Sequence, residues 1–129
     1  MSKKHILLIE PDSVLARIYQ TFFEQQGYHV THARTAQSAI TAADAQRPDV
    51  VILEMQLPHH SGAAFLYEFR SYADWQAIPV IVHSSLSPRR LAQYGASLKD
   101  LGATEQLYKP QTSLQQLMHA VLRRLPVFV

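Results

Sequence analysis

The sequence predicts a single open, doubly wound α/β domain of five strand–helix units, and three patterns carry that prediction. Short apolar runs alternate with longer amphipathic ones along the 129 residues. The run Val50-Val51-Ile52-Leu53 is apolar at every position, as a strand covered on both faces requires, and this favours a parallel sheet. No Gly/Ser linker, repeat or low-complexity tract interrupts the order. With connections this short, right-handed crossovers place helices on both faces of the sheet.

Residues 5–9 are apolar and β-branched enough for a first strand. A helix over 13–26 carries Val14, Leu15, Ile18 and Phe22 at helical spacing and ends at Gly27, which suits a left-handed cap. A second strand runs from Tyr28 to Ala33. Thr35 caps a helix over 36–46, with Ala36, Ala39, Ile40 and Ala43 on one face, and Pro48 stops it. The third strand is Val50 to Leu53. Beyond Gly62, Phe65, Leu66 and Phe69 mark a third helix, and a fourth strand covers Ile78 to His83. Ser87-Pro88 starts a fourth helix whose buried face is Leu91, Leu98 and Leu101, weakened by Gly95. A fifth strand covers Glu105 to Tyr108. Thr112 with Gln115 reads as a capping box for a last helix bearing Leu114, Leu117, Met118, Val121, Leu122 and Leu125. Residues 1–125 thus form one domain, followed by an apolar tail over 126–129 that suits packing on the domain, a dimer contact or the start of a linker.

Hydrophobic residues make up 47% of the chain and charged ones 17%, which argues for a folded domain and against disorder. Twelve basic side chains face ten acidic ones for a net charge of +2, too weak a field to imply nucleic-acid binding. With no cysteine, disulfides, thiol nucleophiles and thiolate metal sites are excluded. The apolar run Ile6 to Ile9 is far too short for a signal sequence or membrane helix, so no membrane role and a cytoplasmic location are expected.

In open α/β sheets the site lies at the carboxyl ends of the strands. Glu10, Asp12, Glu54, Ser84 and Lys109 all fall there. Together with Leu8-Ile9-Glu10, Pro48 to Glu54, Leu57-Pro58 with Gly62, Ile78-Pro79-Val80, Gly102-Ala103 and Lys109-Pro110, they make the chain resemble a response-regulator receiver domain of two-component signalling over nearly its whole length. The resemblance implies a flavodoxin-like (βα)5 fold with strand order 2-1-3-4-5. It also implies an aspartate at the end of the third strand that accepts a phosphoryl group from a kinase histidine. A magnesium ion would be held by that aspartate and by an acid pair after the first strand, a lysine would neutralise the phosphoryl group, and a Ser/Thr after the fourth strand would hydrogen-bond it. Such chemistry is mainly positioning and charge neutralisation.

Three residues depart from that pattern. Glu54 stands at the acceptor position, and its extra methylene pushes the carboxylate outward by roughly one C–C bond, a misplacement that can cost about a hundredfold in rate. Pro11 stands where the second acid of the pair belongs and offers no side-chain oxygen to a metal. Gln106 replaces the aromatic switch residue that precedes the lysine by three. The expected reading is a pseudo-receiver that signals by protein–protein contact, is not an enzyme and needs no cofactor, with a Glu54–Lys109 ion pair standing in for part of the phosphorylated state. The alternative is a phosphorylatable receiver using Mg2+ on Glu10 and Asp12 with a histidine kinase or small phosphodonor. An FMN binder is disfavoured, because Glu10-Pro11-Asp12-Ser13 puts negative charge where a phosphate loop would be.

Plainer roles fit several of these residues. Asp12 precedes a helix and serves as its N-cap without any metal, Glu10 and Glu54 at close range would repel and favour one proton between them unless Lys109 intervenes, and Ser84 equally suits a satisfied strand-end hydroxyl. Neither His59-His60 nor His29 with His32 has chelating geometry. Arg89, Arg90, Tyr108, Arg123 and Arg124 mark a candidate surface for a signalling protein or output domain, or for a homodimer through the fourth helix, fifth strand and fifth helix; solvated helix ends explain the arginines as well, and Arg123 and Arg124 suit the negative end of a helix dipole.

Overall fold

In a computed structural model of the chain, residues 3–94 and 98–125 are described. Five parallel strands, β1 (His5–Ile9), β2 (His29–Ala33), β3 (Val50–Leu53), β4 (Val80–Ser84) and β5 (Glu105–Tyr108), lie in the order β2-β1-β3-β4-β5. The helices between them are α1 (Ser13–Gln25), α2 (Ala36–Ala45), α3 (Gly62–Ser71), α4 (Pro88–Leu91) and α5 (Leu114–Arg124).

Side chains alternate across a strand, and here both faces are buried. Leu7, Ile9, Val51, Leu53, Val80 and Val82 pack on one side with Ala39, Phe65, Leu66 and Phe69 of α2 and α3. Ile6, Leu8, Val50, Ile52 and Ile81 pack on the other with Ala16, Phe23, Leu117 and Val121 of α1 and α5. This is why β3 reads as an unbroken apolar run.

Several elements differ from the sequence expectation. The buried face of α1 is Ala16, Tyr19 and Phe23, with Leu15 and Phe22 partly covered, while Val14 is 68% and Ile18 47% exposed. Apolar residues cover a broad arc of this helix, so spacing alone permits either phase. β4 starts at Val80, because Pro79 has no N–H to give to the ladder. The fourth helix is α-helical only to Leu91 and continues as a 3₁₀ turn over Ala92–Tyr94. Leu91 and Leu98 are nevertheless buried as expected. Gly95 and the tail 126–129 lie outside the described residues.

The capping box of α5 is Ser113 with Gln116, not Thr112 with Gln115. A 3₁₀ turn over Lys109–Gln111 delays the helix, and the Thr112 hydroxyl instead donates to the Tyr108 carbonyl at 2.7 Å. Thr35 caps α2 as expected, in a reciprocal box with Ser38. Gly27 has φ +95°, as its place after α1 requires. Gly62 opens α3 against Met55, where an added Cβ would lie 2.7 Å from the Met55 Cα.

These contacts rank substitutions. Phe23→Ala should cost about 3–5 kcal/mol in urea denaturation, whereas Val14→Ser should stay within about 0.5 kcal/mol. An equally large loss at Val14 would mean that it packs in the folded chain. Gly62→Ala should cost roughly 1–3 kcal/mol, since backbone stands where the methyl would go.

Candidate functional site

The ladder continues one step past β1 and β3, where the Glu10 N–H donates to the Ala33 carbonyl and the Glu54 N–H to the Ile9 carbonyl, each at 3.0 Å. Both carboxylates therefore emerge at the carboxyl edge of the sheet. Lys109, directly after β5, reaches back across that edge. Its Nζ donates to Glu10 Oε1 at 2.6 Å and to Glu54 Oε1 at 2.8 Å.

Glu54 is 3% exposed and richly bonded. Its Oε1 also accepts from the Ser85 N–H at 3.0 Å and the Ser85 hydroxyl at 3.1 Å, and its Oε2 from the Gln56 N–H at 3.0 Å and the Ser84 hydroxyl. Burial alone would raise its pKa, but the bonds from Lys109, Ser84 and the two backbone N–H groups outweigh burial and hold it at about 2. Burial would likewise lower Lys109, yet its bonds to Glu10 and Glu54 keep it above the usual lysine value. Glu54 and Lys109 are both charged at neutral pH, and the ammonium lies between the two glutamate side chains.

Asp12 does not join them. Its Oδ1 accepts from Val14 N–H at 2.9 Å and Leu15 N–H at 3.1 Å as the α1 cap, while its own N–H donates to Glu10 Oε2 at 3.1 Å. Around the loop, His32 Nε2 meets the Glu10 carbonyl at 2.7 Å, and Arg34 Nε donates to the Pro11 carbonyl at 3.3 Å. Ser85, Gln56 and His32 were not legible as site residues. The one local hint is that Gln56 follows Glu54 by two, the offset at which a carboxylate can take a backbone N–H. His83 is 3% exposed on β4, its Nε2 without a partner among the described residues and its ring edge-on to Tyr19 at 5.3 Å. Burial and the Lys109 charge, partly offset by Glu54, push its pKa down to about 4.

The remaining candidates lie apart. Gln106 is exposed on β5, Tyr108 is half-buried at its end, and Arg89 and Arg90 are exposed on α4. Arg123 and Arg124 are not free helix-end charges: they bind Glu105 at 2.7 and 3.0 Å, tying α5 to β5. Among the described residues no group of three or more His, Asp or Glu side chains could hold a metal ion, and no helix is long and apolar enough to cross a membrane.

The response regulator receiver domain model matches residues 6–122. The chain belongs to that family. It is 33% identical to the KDP operon transcriptional regulatory protein KdpE of Escherichia coli (strain K12) over 93% of this chain and 52% of that one. The receiver thus spans about half the length of this curated relative. In fold it resembles the receiver domain of sensor histidine kinase PA1611 from Pseudomonas aeruginosa, solved with a magnesium ion in its active-site cleft (TM-score 0.86, 21% identity, 98% of this chain and 100% of that one). The Vibrio cholerae chemotaxis protein CheY4 is similar too (TM-score 0.84, 22% identity, 95% of this chain and 98% of that one).

The oxygens at this receiver's carboxyl edge do not fit magnesium, which requires near-octahedral oxygen ligands. Pro11 supplies no side-chain oxygen, Asp12 Oδ1 is turned into the α1 cap, and Glu10 and Glu54 are both bonded to Lys109.

The shifted groups set an acid profile. The folded His83 pKa lies below the ordinary 6.5, so stability should fall from pH 6.5 toward 4 as the unfolded chain takes up a proton the folded one refuses. Glu54, lowered from 4.5 to about 2, contributes fully above pH 4.5 and loses its contribution as pH falls toward 2, on the order of 3 kcal/mol. Urea melts against pH should show both slopes. Glu54→Gln should reduce the lower one and keep the upper, and an unchanged lower slope would exclude Glu54 as its source.

Proposed function

We propose that this receiver is a pseudo-receiver: it signals through protein–protein contact, independently of phosphorylation, with Glu54 in place of the phosphoacceptor aspartate. The observation that carries this reading is the set of partners held by the Glu54 carboxylate. Lys109 and Ser84 are the residues that the family resemblance assigns to neutralising and hydrogen-bonding a phosphoryl group, and both bind Glu54. The longer glutamate arm puts its carboxylate where a shorter aspartate would need an added group to reach.

The same bonds draw the chain after β4 toward the site. Ser85 joins Glu54 through its N–H and hydroxyl and reaches Gln56 Oε1 at 2.9 Å, and Ser84 Oγ accepts from the Leu86 N–H at 3.1 Å. The start of α4 is thereby held in one position, and Arg89 and Arg90 follow directly on it. A partner reading that face meets a fixed surface. Gln106, with no ring to rotate, agrees with a domain that does not toggle.

The domain itself is not an enzyme in this reading. Its partners are a signalling protein or an output domain, with a homodimer through α4, β5 and α5 as one arrangement, and it makes no contact with nucleic acid or membrane. The KdpE relatives are named as transcriptional regulatory proteins, so a DNA-binding output would belong to another domain. A cytoplasmic location and a receiver domain over 1–125 complete the proposal.

Incubation of the purified chain with acetyl phosphate and Mg2+, followed by intact-mass spectrometry, tests it. The expected result is an unchanged mass. A stoichiometric phosphoryl adduct on Glu54 would instead establish the phosphorylatable receiver.

A further inference from the structure

A groove of about 1020 Å³ lies at the amino ends of β4 and β5, the edge of the sheet opposite Glu54. Its floor is apolar, with Ile78 and Ala103 buried and Pro79 and Leu101 half-buried. Its walls carry four cations, Arg70, Lys99, Arg123 and Arg124, against two carboxylates, Asp100 and Glu105. That excess of two positive charges equals the net charge of the whole chain, so the groove holds what the rest of the sequence balances. Local bonds fix these cations without neutralising them. Arg70 donates to the Gly102 carbonyl from Nε at 3.2 Å and Nη2 at 2.7 Å, and to the Trp75 and Gln76 carbonyls from Nη1 at 2.8 and 3.3 Å. Carbonyls orient a guanidinium but carry no net charge, and no carboxylate pairs with Arg70 among the described residues. Arg123 and Arg124 share the single carboxylate of Glu105, and Lys99 is exposed on the loop before β5.

We propose that this groove is a docking site for an acidic peptide segment of a partner protein, its carboxylates facing Lys99 and the arginines and an apolar side chain lying on Pro79 and Leu101. Charge complementarity selects the acids. The apolar floor selects a peptide over a phosphate or a nucleic-acid backbone, which would leave Pro79 and Leu101 uncovered. The walls are also preformed. Arg70 ties the end of α3 and the turn at Trp75 to Gly102, and the Thr104 hydroxyl and N–H bond the Val80 N–H and carbonyl at 3.0 and 2.7 Å. A groove already held open costs a ligand less ordering free energy than one that must form on contact. The proposal goes beyond the phosphorylation-independent reading, because the groove shares no residue with the set bonded to Glu54.

Fluorescence anisotropy of a labelled peptide of glutamates interrupted by leucines, titrated with the whole chain, tests the site. Saturable binding is expected, and it should weaken as salt rises. Lys99→Glu with Arg123→Gln makes the groove net negative at two exposed positions and should weaken binding more than about tenfold. Lys99→Glu alone, which breaks no bond among the described residues, should weaken it about threefold or more and keeps the test valid if the double variant does not fold. Arg17→Glu, an equal charge reversal exposed on α1, should bind as the wild type does. No saturable binding, equal losses in Arg17→Glu and Lys99→Glu, equally tight binding of a glutamate–serine peptide, or tighter binding of a single-stranded oligothymidylate each overturns the proposal. A phosphoryl adduct on Glu54 would count against the proposed function alone.

Discussion

The Lys109 ammonium between Glu10 and Glu54 is the constraint on which the upper edge of this domain depends. β1 and β3 are neighbours, but β5 lies beyond β4, so the lysine reaches across a strand to join them. Taking each of these charges out of water costs several kcal/mol, which only close and directed pairing offsets. Removing Lys109 leaves two buried carboxylates without a counter-charge, typically a loss of about 3–5 kcal/mol. The strand order therefore does more than shape a core. It brings to one place three side chains far apart in sequence.

The surrounding loops follow from that cluster. Glu10 Oε2 takes the Asp12 N–H, while the Asp12 side chain caps α1. The cap and the sheet together orient α1, so that Tyr19 meets His83 edge-on while Val14 and Ile18 face water. On the other side Glu54 collects Gln56 and Ser85, which hold the segments after β3 and β4. The segment after β3 then closes through the Gly62 N–H on the Met55 carbonyl at 2.8 Å, where there is no room for a side chain. Site chemistry and helix placement are thus joined in one network of bonds, which runs from Glu54 through Ser84 and Ser85 to Leu86, just before α4.

Much of this can be read from residue types in order. β1 and β3 were legible to the residue, because short apolar runs bounded by Lys4, Asp49, Glu10 and Glu54 leave little freedom in their ends. Thr35 and Gly27 declared their caps through local chemistry that needs no distant partner. Helix phase was not legible. Val14 and Ile18 fit the same period as Ala16, Tyr19 and Phe23, and only the sheet beneath α1 distinguishes them. The box at α5 was misplaced by one residue because Thr112-Gln115 and Ser113-Gln116 are equivalent as sequence, and the turn over Lys109–Gln111 chooses between them. The arginines near the end of α5 looked like free charge until Glu105, eighteen residues before Arg123, came beside them.

By itself the sequence determined the fold class and which residue types, Glu54, Pro11 and Gln106 among them, stand at or near the strand ends, because these depend on residue identity and on periodicities that local backbone geometry imposes. The tertiary structure decided what those residues do for one another. It turned Asp12 toward its helix, set Lys109 between two carboxylates and brought Ser84, Ser85 and Gln56 onto Glu54. Hydrogen bonds and ion pairs act over a few ångströms, and chain positions separated by as many as 99 residues come within that range only once the sheet has assembled.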